Sequence, residues 1–93
     1  MVADNPRNTF ERVVALLKGG AADEAETLCR ACLIKSPRDV NLLSLLGTIL
    51  LRKNDFEGAE TLLRTVIEIA PGFPNAQEDL GTVLLNKASR KRL

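Results

Sequence analysis

The chain has no histidine, tryptophan or tyrosine, and its 93 residues include only three phenylalanines and two cysteines. Each shortage removes a class of function. Without histidine there is no Ser-His or Cys-His nucleophile pair, so acid–base work would fall to carboxylates or lysines. Two cysteines need two more ligands to hold zinc, and with no histidine and no further cysteine neither a metal nor another cofactor is expected. A core so poor in aromatics has to be built from Leu, Val, Ile and Ala, which is a helical composition. Charge is balanced as well: 13 basic and 12 acidic residues leave a net +1, so no overall field recruits nucleic acid or an anionic membrane. Long apolar runs are missing, and the run around Thr48–Leu51 is far too short to cross a bilayer. The opening MVADNPRNTF has neither a basic nor an apolar leader segment, and the expectation is a cytoplasmic protein. Two cysteines agree with a reducing compartment.

What the chain does have is repetition. Ala59, Glu60, Thr61 and Leu62 restate Ala25, Glu26, Thr27 and Leu28, Arg64 restates Arg30, and Pro71 restates Pro37, each pair 34 residues apart. At the same offset Leu46, Gly47, Thr48, Leu50 and Leu51 return as Leu80, Gly81, Thr82, Leu84 and Leu85. Matches at one offset indicate stacked supersecondary units, each too thin to bury its own apolar face.

Within that period the pattern predicts five helices. Asn5-Pro6 opens the first, which carries Phe10, Val13, Val14, Leu16 and Leu17 and ends at Lys18-Gly19-Gly20. The second, over 22–35, carries the stripe Ala25, Leu28, Cys29, Cys32 and Leu33 before Ser36-Pro37 stops it. Asp39 caps the third, over 40–53, whose leucines surround it so fully that it must pack on more than one side. The fourth, over 56–69, repeats the second's spacing through Ala59, Leu62, Leu63, Val66 and Ile67. Pro74 starts the fifth, acidic early at Glu78 and Asp79 and basic at its end, as the helix dipole prefers. Short connections make neighbours antiparallel, so the expectation is an all-α, single-domain stack of helical hairpins over 1–93.

These landmarks resemble the tetratricopeptide repeat, whose 34-residue pattern runs W-x2-L-G-x2-Y, A-x3-F, P. The central unit matches at Leu43, Leu46-Gly47, Leu50, Ala59, Leu63 and Pro71, with Val66 where the family usually has a small residue. The first matches at Leu16, Ala25, Cys29, Cys32 and Pro37, but has Thr9, Arg12 and Val13 where Trp, Leu and Gly would stand. The third has Leu80-Gly81 and Leu84 without a second helix. The resemblance implies a right-handed superhelical α-α solenoid with repeats over 6–39 and 40–73 and a partial repeat or capping helix over 74–93. Because a glycine inside a helix costs about 1 kcal/mol against alanine, Gly47 and Gly81 are expected at close helix approaches.

Candidate chemistry is sparse. Cys29 and Cys32 form a C-x-x-C string, yet both fall on the apolar stripe well inside a helix, where a thiol behaves as a small hydrophobe. Glu26 and Glu60 fall beside the stripe and are expected to be solvated. The tail residues Lys87, Arg90, Lys91 and Arg92 could meet phosphates, but no aromatic residues are interleaved for base stacking. No catalytic set can be assembled, and the protein is not expected to be an enzyme.

The resemblance implies instead a concave peptide-binding groove lined by the first helix of each unit. The corresponding positions are Arg7, Phe10, Val14, Leu17 and Lys18; Asn41, Ser44, Thr48, Leu51 and Arg52; and Asn75, Glu78, Thr82, Leu85 and Asn86. For Leu17, Leu51 and Leu85, packing between helices is an equal alternative. One subfamily grips the C-terminal carboxylate of chaperones with basic and amide side chains. The corresponding positions here are Phe10, Val14, Leu45, Asn75 and Asp79, none of them basic, which disfavours a chaperone tail. The leading expectation is a protein-binding scaffold of unknown partner. The alternatives are a homodimer through uncapped repeat ends, or an amino-terminal accessory domain of a larger bacterial enzyme.

Overall fold

The computed structural model describes residues 6–91, with side chains over 9–90. The described residues form α1 (Pro6–Lys18), α2 (Ala22–Lys35), α3 (Val40–Arg52), α4 (Phe56–Ile69) and α5 (Ala76–Lys91), without a strand among them. Asn5, the expected cap of α1, lies outside the described residues.

The helix ends repeat as the sequence does. After α1, Gly20 N–H donates to the Leu17 carbonyl at 3.1 Å and Ala21 N–H to Leu16 at 2.8 Å. One period later, Asn54 and Asp55 make the same pair of bonds to Leu51 and Leu50, at 3.0 and 2.8 Å. Both are Schellman closures, and Gly20 and Asn54 take the left-handed φ values, 84° and 65°, that this motif requires. The Asp39 carboxylate accepts from the Asn41 and Leu42 amides at 3.0 and 3.2 Å and caps α3. Asp55 likewise accepts from Gly58 at the start of α4.

Pro74 does not start α5. Pro74-Asn75 is a turn, and the left-handed Asn75 (φ 68°) cannot belong to a right-handed helix. The Asn75 carbonyl closes the first helical turn by accepting from Asp79 N–H at 2.8 Å, so the helix begins at Ala76.

Helix α3 is the hub: it packs on α1, α2, α4 and α5, which explains its apolar surround. The main core joins Val13, Ala25, Cys29, Leu46, Ile49 and Leu63, and a smaller cluster joins Leu43, Val66 and Ala76. Gly47 sits at a close approach: a Cβ there would stand 3.3 Å from Leu63 Cγ. The equivalent Gly81 does not, with nothing within 4 Å, because no helix among the described residues covers that side of α5.

Glu26 and Glu60 are also not solvated, their side chains being only 19% and 18% exposed. Glu26 takes Arg30 Nε at 2.8 Å and Lys53 Nζ at 2.6 Å, and Lys53 also reaches Asp23. One period on, Glu60 takes Arg64 Nε at 2.9 Å and Lys87 Nζ at 2.6 Å. Each clasp ties the second helix of one repeat to the end of the first helix of the next. Extents of 52 × 29 × 19 Å describe the resulting elongated stack.

Candidate functional site

A hollow of about 380 Å³ opens between α1, α3 and α5. Helix α3 supplies its wall. Asn41, Ser44, Leu45 and Thr48 recur at i, i+3, i+4 and i+7 and therefore share one face. Phe10 of α1 stands on one side, half-buried and packed against the main core. The α4–α5 connection contributes Phe73, Pro74 and Asn75, and the first turn of α5 contributes Asp79.

The lining combines apolar faces with hydroxyl and amide groups. Thr48 Oγ1 donates to the Ser44 carbonyl at 3.3 Å, which holds the hydroxyl against α3 while its oxygen can still accept. Among the described residues Asp79 is the hollow's one charged group. Burial, and then the neighbouring charge of Glu78, push its carboxyl above the ordinary aspartate value. Its side chain has no hydrogen bond or ion pair among the described residues.

Of the fifteen groove positions the resemblance suggests, five meet here: Phe10, Asn41, Ser44, Thr48 and Asn75. Glu78 lines an adjoining hollow with Phe73, Pro74 and Asn75. Leu17 is only 7% exposed and belongs to the core, so it offers no groove surface. Val14 and Leu51 are half-buried outside the hollow, Leu51 packing on the main core. Arg52 and Thr82 are exposed beyond its ends, and the Thr82 hydroxyl donates to the Glu78 carbonyl. Leu85 is 69% exposed, and the side chain of Arg7 lies outside the described residues.

Leu45, Phe73, Pro74 and Asp79 complete the hollow without appearing among those fifteen. Leu45 and Asp79 occupy positions of the subfamily's anion-gripping set. Phe73 carries a weaker signal, being one of three phenylalanines and standing in a connection.

Other candidates resolve into structure. Cys29 is fully buried, its thiol donates to the Leu42 carbonyl at 3.3 Å, and burial pushes it up to about 12, against any thiolate role. Cys32 is half-buried and lines a second hollow of about 290 Å³ with Thr9 and Arg12, where the repeat pattern has the apolar Trp and Leu. In the tail, Lys87 is held by Glu60, and the Arg90 guanidinium lies 5.3 Å from the centre of the Phe56 ring. Arg92 lies outside the described residues. No described helix is long and apolar enough to cross a membrane.

The family model described as tetratricopeptide repeat matches residues 16–81, well over half of the chain. The chain belongs to the tetratricopeptide repeat family. No curated protein matches it. The matched stretch leaves out most of α1, where Thr9, Arg12 and Val13 depart from the tetratricopeptide pattern, and most of α5. Tetratricopeptide repeats mediate protein–protein interaction and are typically non-catalytic scaffolds.

Proposed function

We propose that this tetratricopeptide protein is a non-catalytic scaffold that holds an extended segment of a partner protein in the hollow between α1, α3 and α5. The observation that carries this reading is the face of Asn41, Ser44, Leu45 and Thr48, set opposite Phe10 and Phe73. Amide and hydroxyl groups bond a segment's backbone, and the aromatic and leucine faces take its side chains. Two free thiols suit a reducing compartment, the basis for placing the scaffold in the cytoplasm.

Ser44→Trp tests this reading by filling the hollow without adding charge. Peptides selected from a random display library on the wild-type protein should lose at least about tenfold in affinity for the variant, the cost of one displaced side-chain contact. Selected peptides that bind both proteins equally would place recognition elsewhere.

Self-association is the second reading, favoured by the open side of α5, where Gly81 has nothing within 4 Å and Leu84 and Leu85 are 39% and 69% exposed. Sedimentation equilibrium decides it: a monomer at high concentration removes it.

A further inference from the structure

We infer that the occupant of the hollow is a peptide segment carrying a basic side chain, arginine or lysine, set against the Asp79 carboxylate. This rests on the groove reading and adds the charge of what the groove selects.

The chain's other shielded or capping carboxylates have partners within the fold. Glu26 and Glu60, shielded as Asp79 is, each hold two cations. Asp39 and Asp55 cap helices. Asp23 meets Lys53, and Glu57 lies 3.8 Å from Arg90. Asp79 is as shielded as a structural carboxylate and has no partner of its own among the described residues. The dipole of α5 favours an acid in the first turn. It leaves unexplained why this acid is drawn into the hollow, where burial makes its charged form costly. An arriving cation removes that cost.

The lining selects the kind of cation. Among the described residues no basic side chain lines the hollow. The nearest cation on α3 is Arg52, one turn beyond Thr48 and about 6 Å further along the helix axis, at 1.5 Å per residue. Phe10, Leu45 and Phe73 offer apolar and aromatic surface to the stem and head of a long basic side chain, and Asn41, Ser44 and Thr48 are free to bond the backbone that carries it. Glu78, exposed on the adjoining hollow, adds negative potential along the path of approach. Arginine should bind better than lysine, because its planar head suits both a carboxylate and aromatic faces.

The test uses fluorescein-labelled octapeptide pools, random except for a fixed central arginine, lysine, glutamate or leucine, titrated by fluorescence polarisation. The arginine pool should bind about tenfold or more tighter than the glutamate pool, the scale of one charge-assisted hydrogen bond. Asp79→Asn should erase that preference, Asp79→Lys should reverse it, and Glu68→Gln, an equal change of charge on exposed α4 surface, should leave it intact. Equal binding of the pools, or a preference that survives Asp79→Asn, overturns the inference while the groove reading stands. Pools that bind Ser44→Trp as well as wild type overturn the groove reading itself. Dimerisation that disappears in Asp79→Asn would overturn a foreign segment in favour of a second copy's basic tail.

Discussion

Gly47 and Gly81 hold the same place in consecutive repeats and meet opposite surroundings. A side chain at 47 is driven onto Leu63, whose Cγ lies 3.3 Å from where a Cβ would begin. Gly47→Leu should therefore destabilise by about 1–3 kcal/mol, the usual range for overpacking a filled core. At 81 the space is open, and only the glycine's own entropy counts. Gly81→Ala should stabilise the protein by about 1 kcal/mol. Urea denaturation of the two variants measures both; equal and opposite signs are not required, but two losses would refute the contrast. A repeated letter thus does not guarantee a repeated environment, and nothing local to Gly81 reveals which neighbour it lacks. Gly58 shows the converse. No repeat landmark marks it, yet a Cβ there would stand 2.9 Å from Leu50 Cδ1 and against the capping carboxylate of Asp55.

At the scale of the element, the clasps between helices carry the acid and alkaline limits of stability. Lys53 first and Arg30 second hold Glu26 below its ordinary value of 4.5, and Lys87 and Arg64 do the same for Glu60. A depressed carboxylate releases its proton more readily folded than unfolded, so its contribution is complete above the unfolded value and disappears as pH falls through the folded one. Lys53 runs the other way: its value is raised by Asp23 and Glu26, so its share is complete below 10.5 and is lost as pH rises through the folded value. The urea midpoint should therefore fall on acidification below about pH 4.5, and Glu26→Gln/Glu60→Gln should flatten that limb. A double variant with the wild-type acid limb would remove the clasps from the account. Helix positions and ends, the start of α5 excepted, were legible in the sequence because stripes, Pro37, Gly20 and Asp39 act over one or two turns. The clasps were not, because Lys53 lies 27 residues from Glu26 and its reach depends on how α2 packs against α3. The hollow was half legible for the same reason: Asn41, Ser44 and Thr48 follow from helical register, whereas Phe73 and Asp79 depend on a path set by the left-handed Asn75.

The whole molecule is a stack 52 Å long and 19 Å thin. Helix α3 touches every other helix, whereas α5 rests on α4 and on part of α3. Amide exchange should be slowest in α3, at Ile49 and Leu50, and fastest toward the end of α5, since opening an end breaks one interface and opening the centre breaks several. Slower exchange in α5 than in α3 would contradict a stack held by nearest neighbours. The clasps have a further consequence, for growth. An in-frame duplication of residues 39–72 brings its own Asp39 cap, its own Asn54 turn and both halves of the clasp. Glu60 of the older copy meets Lys53 of the newer one, and Glu60 of the newer meets Lys87. The clasp at the seam needs no new residue. A single unequal crossover in the gene can lengthen this protein by a repeat and leave its caps and clasps paired.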